Sequence, residues 1–293
     1  MKWETLKTLF AAIGALFLVI TALSVVIAIF TGGSFSSRDK VAVIELEGII
    51  TDPAEAIQQF QELEDRDDVK AVVLRIDSPG GAVGPSQEIH SEIIKFRKKK
   101  KVVASLGTIA ASGGYYAAAA TDKIVANPGT ITGSIGVIVE FFNAEELLSK
   151  LGLKGYVVKS GKYKDVGSPL RKMEAEERAL LQSVIDDVNG QFIKAVADGR
   201  NMKVEDVAKI ADGRIFSGAQ ARERGLVDEL GGLRDAIDIS AELAGITGKP
   251  EVVYLESKKM SLWNTVFGES AARSFTELFS GMRIMYMTPN PER

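Results

Sequence analysis

The sequence contains no cysteine. Disulfides, thiolate metal sites and a thiol nucleophile are therefore excluded, while the compartment stays open, because many extracytoplasmic proteins lack disulfides. Histidine is almost absent as well, with His90 the single copy. A Ser-His-Asp hydrolase would have to run through that residue, and a site built on several histidines is impossible. Neither sign of charge dominates: 36 Lys and Arg face 39 Asp and Glu, for a net charge of −3. The basic footprint of a nucleic-acid binder is missing, as are internal repeats and low-complexity tracts. The rest is ordinary globular material, 293 residues that are 46% hydrophobic and 26% charged. At roughly 100–200 residues per domain, this suits one compact domain with an appendage.

The appendage is the one long apolar run. Residues 9–30, LFAAIGALFLVITALSVVIAIF, carry no charge and only Thr21 and Ser24 as polar side chains. About 20 such residues cross a bilayer core as a helix, whereas the apolar part of a signal peptide is usually about 7–15 residues and ends at a small-x-small site. The run is longer and no Ala-x-Ala closes it. It reads as an uncleaved N-terminal transmembrane helix, with a cleaved signal peptide as the alternative. Lys2 and Lys7 flank one end, Arg38 and Lys40 the other, so flanking charge barely separates the two orientations. The expected organisation is anchor and tether over 1–38, a soluble domain over 39–258 and a tail over 259–293.

In the soluble part short β-rich runs alternate with helical patterns. Strands are expected at 41–46, 71–76, 102–106, 123–127, 134–139 and 156–160, and helices at 54–65, 86–99, 143–150, 174–198 and 232–244. The βαβα order predicts an α/β fold with mainly parallel strands. DSPGGAVG (77–84) reads as a glycine-rich turn, and the basic run 97–101 as a solvated helix end. Ser217 reads as a helix cap and Gly225 as the residue closing that helix.

Four places can carry chemistry. Ser112, in AASGGY, lies where a strand gives way to a small-residue helix. It could be an N-cap or a nucleophile exposed beside free backbone N–H groups. Asp77-Ser78-Pro79-Gly80-Gly81 could be a plain turn or an oxyanion hole, since adjacent glycines present N–H groups without side-chain obstruction. His90, on the pattern SQEIHSEIIKF, reads as a surface or helix-packing histidine. Lys159, Lys162 and Lys164 cluster in KSGKYKDVGSP. A lysine base must be neutral, which requires enclosure that lowers its pKa from about 10.4. Spacing does not choose among the three.

The motifs RIDSPGG (75–81), ASGGYYAA (111–118), TGSIGVI (132–138), SGKYKDVGSP (160–169) and GRIFSGAQARERGLVDELGG (213–232) together resemble signal peptide peptidase A. That family of Ser-Lys peptidases has the fold of the Clp protease proteolytic subunit and the crotonases. The resemblance covers most of 40–245. It implies Ser112 as nucleophile, Lys164 as general base and Ser134 as the serine that orients the base. Gly80, Gly81 and Gly113 become the candidate oxyanion donors, and no metal or other cofactor is implied. It further implies a short-form member with one catalytic domain, assembled as a homo-oligomer whose dyads are shared between subunits. The enzyme would sit in the cell membrane with a cytoplasmic N-terminus and an extracytoplasmic catalytic domain. Its substrates would be signal-peptide remnants and other membrane-derived peptides, with no nucleic-acid partner. A related membrane protease acting on stomatin-like proteins and a crotonase-type acyl-CoA enzyme are the alternatives. For the apolar tail, 260–287, a packing helix is the first reading. A membrane-surface helix and a self-trimmed segment held in the active-site groove are the others.

Overall fold

The computed structural model describes residues 3–30, 39–255 and 285–287. The chain divides into two compact units, Met1–Arg38 and Asp39–Arg293. In the first, α1 (Trp3–Phe30) is a single helix. Its side chains are described for Lys7, Phe10 and 12–23, and Phe10, Ile13, Leu16, Phe17, Leu18, Val19, Ile20 and Leu23 are all exposed. Among the described residues no helix is long and apolar enough to cross a membrane.

In the second unit β1 (Lys40–Ile50), α2 (Ala54–Glu64), β2 (Val69–Ala82), α3 (Val83–Phe96) and β3 (Lys101–Ala111) follow in βαβ order. After Ser112 come α4 (Gly113–Ala119), β4 (Lys123–Ala126), β5 (Ile131–Gly133), α5 (Glu145–Lys150), α6 (Ala175–Arg200) and α7 (Val204–Ala208). The chain continues through β6 (Ile215–Ser217), α8 (Gly218–Glu223), β7 (Glu229–Leu230), α9 (Leu233–Leu243), β8 (Glu251–Tyr254) and β9 (Met285–Met287). The strands form one sheet with the path β6-β5-β3-β2-β1-β8; β4 joins β3 and β7, and β9 joins β2. Pairing is parallel except for β5 with β6 and β2 with β9. The expected α/β fold with mainly parallel strands is what forms.

Side chains alternate across the sheet. Val41, Val43, Ala71, Val73 and Val103 meet Ala236, Ile237 and Ala241 of α9. Ala42, Ile44, Val72, Leu74 and Ile76 face the opposite side, toward Phe60 of α2, Ile89 and Ile93 of α3, the alanines of α4, and Phe192 and Val196 of α6. Because helices cover both faces, the central strands are apolar at successive positions rather than alternate ones.

Three expectations change. Residues 77–82 form no turn: β2 runs on through Ala82 and pairs Gly80 with Ile49 and Gly81 with Ile50. A Cβ at Gly81 would lie 2.1 Å from the Ile50 carbonyl oxygen, so that glycine serves close backbone approach. The strand expected over 134–139 is replaced by β5 at 131–133, because Ser134 turns the chain with φ 50°. Residues 156–160 form no strand either. Tyr156 is 89% and Val158 fully exposed, and β-favouring side chains make no strand without a neighbour to pair with. Local chemistry was read correctly at the caps. Ser217 Oγ accepts the Gln220 N–H at 3.2 Å, and Gly225 takes φ 76°. Of the packing helix expected over 260–287, residues 260–284 fall outside the described residues and 285–287 form a strand, β9, paired with β2.

His90 packs its ring on Tyr116, centroids 4.8 Å apart, and Tyr116 packs on Phe192 at 4.9 Å. Burial pushes the imidazole pKa down from 6.5 to about 4, with Arg97 adding to the effect and Asp198 opposing it. Between those two values the unfolded chain holds a proton that the folded chain does not, so stability falls as pH drops through this window. The expected loss approaches roughly 3 kcal/mol at the acid end, at about 1.4 kcal/mol per pH unit. Denaturation curves of wild type and His90→Phe between pH 6.5 and 4 measure it. A wild-type slope no steeper than that of the variant would refute the buried, neutral histidine.

Candidate active site

Ser112 is the single residue between β3 and α4, and its backbone is strained. Its φ is 53° and ψ −117°, a conformation that costs a non-glycine residue about 1–3 kcal/mol. Two backbone hydrogen bonds hold it: its N–H donates to Gly133 O at 2.8 Å, and its carbonyl accepts the Tyr116 N–H at 2.8 Å. The side chain does not cap α4. Among the described residues its buried Oγ finds no hydrogen-bond partner, which costs a further 1–3 kcal/mol or so. The capping reading therefore fails, and a strained turn presenting a hydroxyl at a helix start is the arrangement a nucleophile needs.

The sheet brings Ser134 beside it. β3 and β5 run parallel with Ala111 opposite Gly133, so the residues that leave the two strands, Ser112 and Ser134, emerge at the same level. Ser134 is buried, has φ 50° and donates its N–H to Arg214 O at 2.9 Å. Thr132 Oγ1 bonds Ala110 O at 2.7 Å and ties the two strand ends together.

The candidate oxyanion donors lie on the other side of the serine. Gly113 opens α4, where backbone N–H groups have no helical acceptor. A Cβ there would come within 2.5 Å of Ser86 Oγ and 3.2 Å of Gly81 N, so only glycine leaves room. The Gly80 N–H already donates to Ser78 Oγ at 3.1 Å, and Gly81 pairs with Ile50 of β1 and Tyr286 of β9. Ser78 also donates to Gly48 O at 2.6 Å. Asp77 accepts the N–H groups of Thr108 and Ile109, both at 3.2 Å. These two residues hold the strand that bears the glycines. Sequence reading passed over them, although a polar pair continuing a buried strand was the available signal.

The lysines separate by their ion pairs. Lys159 Nζ bonds Asp165 at 2.5 Å. Lys162 bonds Glu176, and that carboxylate raises the pKa of Lys162. The side chain of Lys164 makes no hydrogen bond or ion pair among the described residues, and the residue is exposed. A single chain therefore does not join Lys164 to Ser112: one presents a free amine, the other a buried, unpartnered hydroxyl. His90 is engaged in ring packing with Tyr116.

Beside the serine the sheet accepts an extended segment. β9 pairs antiparallel with the glycine stretch of β2, Met287 opposite Gly80, Tyr286 opposite Gly81 and Met285 opposite Ala82. Residues 285–287 thus lie as a strand along the residues that flank the candidate oxyanion site.

The sequence matches Clp protease over residues 35–130 and Peptidase family S49 over residues 94–247. A Synechocystis sp. protein named as a protease is 45% identical over 244 residues, covering 83% of this chain and 88% of its own. An Enterococcus faecium protein named for signal peptide peptidase SppA is 38% identical over 69% of this chain and 63% of its own. The chloroplastic serine protease SPPA of Arabidopsis thaliana is 33% identical over 79% of this chain and 36% of its own. The acyl-CoA alternative on the same fold finds no support in these matches. With a strained, buried serine inside both matched stretches, and matches spanning most of the sequence, the chain belongs to Peptidase family S49 and is a serine peptidase.

Proposed function

We propose that this serine peptidase works with a Ser-Lys dyad, Ser112 and Lys164, on extended peptides left in or near the membrane, signal-peptide remnants foremost. The observation that carries the reading is Ser112 itself: a costly backbone angle and a costly unpartnered hydroxyl coincide at one residue. Lys164 is the base because its two neighbours in the cluster are committed to carboxylates. A neutral Lys164 takes the Ser112 proton as Oγ attacks the scissile carbonyl. The N–H groups of Gly81 and Gly113 stabilise the oxyanion. The lysine then protonates the leaving amine and serves again as base when water releases the acyl group. Ser134, level with Ser112 at the strand ends, orients the lysine amine.

Since one chain leaves the two dyad members apart, a neighbouring copy completes each site, in a homo-oligomer. The arm that carries Lys164 is suited to such packing: Phe142, Leu147, Leu151, Leu153, Tyr156 and Val158 are all exposed on it, an unusual amount of uncovered apolar surface. Fluorophosphonate treatment should add one mass label to the peptide containing Ser112. Ser112→Ala and Lys164→Ala should each lower peptide hydrolysis by about 10⁴-fold or more with assembly intact. A label on another residue, or activity retained in Lys164→Ala and lost in Lys162→Ala, would reject the assignment.

The substrate lies as an added strand along 80–82, as β9 does, so main-chain hydrogen bonds supply affinity whatever the side chains. The tail of the chain is then itself a substrate analogue. Wild-type protein should lose part of the segment after residue 255 on storage while Ser112→Ala keeps it, as read by intact mass. Equal full-length masses would dismiss self-processing.

The run 9–30 is proposed to hold the enzyme in the membrane. It has 22 uncharged residues, and Thr21 Oγ1 bonds Phe17 O inside α1, which satisfies a polar group where water is lacking. The catalytic unit then lies outside the cytoplasm. A reporter that is active only in the cytoplasm, fused after residue 37, should be silent; signal from it would reverse the topology.

A further inference from the structure

Lys164 sits between residues that are pinned. Of the four side chains at 162–165, three bond toward the start of α6. Lys162 and Tyr163 both bond Glu176, the tyrosine hydroxyl at 3.2 Å, and Asp165 is gripped by Arg171. Only the lysine between them has a side chain without a polar partner among the described residues.

We propose that Arg171 is the positioning residue of the base: its guanidinium couples Asp165, the residue after Lys164, to Glu177 in the first turn of α6. The coupling uses the whole fork. Nε donates to Asp165 Oδ2 at 3.0 Å and Nη2 to Asp165 Oδ1 at 2.8 Å. Nη1 donates to Glu177 Oε2 at 2.8 Å and Nη2 to Glu177 Oε1 at 2.5 Å. Two main-chain oxygens complete the set, Lys172 O at 3.1 Å and Asp165 O at 3.3 Å. Planar bidentate contacts of this kind fix orientation as well as distance, which a lysine ammonium cannot do.

Each carboxylate has a second anchor. Asp165 also takes Lys159, and Glu177 Oε2 accepts the Glu174 N–H at 2.9 Å in a capping box. Glu177 is 3% exposed. Its carboxyl is held down at about 2, first by Arg171 and then by the Glu174 N–H, against the upward pull of burial and of nearby Asp165. Without the guanidinium the two carboxylates would repel across the gap.

The far end of the connection is rigid. Phe192 and Val196 of α6 are fully buried in the main core, and a Cβ at Gly199 would lie 1.9 Å from Ala119 O of α4. α6 therefore rests on the helix that begins at the nucleophile's turn. The segment bearing the base is referenced, through Arg171 and α6, to the same scaffold that holds Ser112. A reacting group displaced by about 1 Å can lose on the order of 10²-fold in rate.

The inference rests on Lys164 being the base, and the test keeps the two claims apart. Full-length wild type, Arg171→Met, Arg171→Lys and Lys164→Ala, together with Arg171→Met combined with Lys164→Ala, are compared in detergent by peptide hydrolysis and by the rate of fluorophosphonate labelling of Ser112. Arg171→Met should lower kcat about 10²-fold while KM changes less than about threefold, the split expected when transition-state geometry alone is lost. Arg171→Lys, which keeps the charge and loses the fork, should fall between Arg171→Met and wild type. Labelling should slow in Arg171→Met, yet the same substitution should change nothing in the Lys164→Ala background. An equal further loss in that background would show that Arg171 acts on the serine half of the site, and would overturn the inference. Wild-type kcat in Arg171→Lys would overturn it too, even if Arg171→Met fails to fold. Wild-type labelling and turnover in Lys164→Ala would instead remove the base assignment on which the inference stands.

Discussion

The site depends on the hydrogen bond from Ser112 N–H to Gly133 O. A serine at φ 53° would relax to an ordinary conformation in an isolated peptide. Here the parallel pairing of β3 with β5 holds its N–H on one side, and the first turn of α4 holds its carbonyl on the other. That register also sets Ser134 beside it. The constraint propagates outward: α4 must start at once, so the residues around the turn must be small. Gly113, Gly114 and the alanines of α4 are buried. A Cβ at Gly114 would meet Ser78 O at 2.9 Å, so the serine turn and the glycine-bearing strand are pressed together through positions where no side chain fits.

The second constraint is that β2 does not stop where its apolar run stops. By continuing through Gly80 and Gly81 it offers one edge to β1 and a length of backbone to β9. Extended backbone of this kind can pair with a peptide through main-chain hydrogen bonds. Asp77 and Ser78 supply the polar ties that keep this extension in place within a buried setting, where an unmet backbone group would be costly.

The charged arm obeys different physics. Its residues are largely exposed, and a cluster of ion pairs, not a core, gives it shape. Exposed ion pairs taken singly contribute little. Around Arg171 they form a connected network with a nearly buried carboxylate, and such networks define geometry more than they add stability. Lys164 is thus carried on a polar frame and Ser112 on an apolar one, with α6 belonging to both.

Much of this was legible beforehand. Apolar strand runs, the βα alternation, the Ser217 cap and the turn at Gly225 follow from local periodicity and local backbone preference, and the structure reproduces them. Residue type left Ser112 as cap or nucleophile and the three lysines as equals, and the family resemblance of the motifs singled out Ser112 and Lys164. What local signals could not decide depended on partners distant in the chain. DSPGG reads as a turn until β1 is laid beside it. YVVKS reads as a strand although no neighbour comes to pair with it. Lys159, Lys162 and Lys164 are equivalent as sequence and differ only once Asp165 and Glu176 are in place. Side-chain type and periodicity therefore determined the elements and the chemical candidates. Pairing, burial and charge neighbourhood, which are properties of contacts between remote segments, decided that the Gly80 N–H is engaged by Ser78, which lysines of the cluster pair with carboxylates and why Ser112 is held under strain.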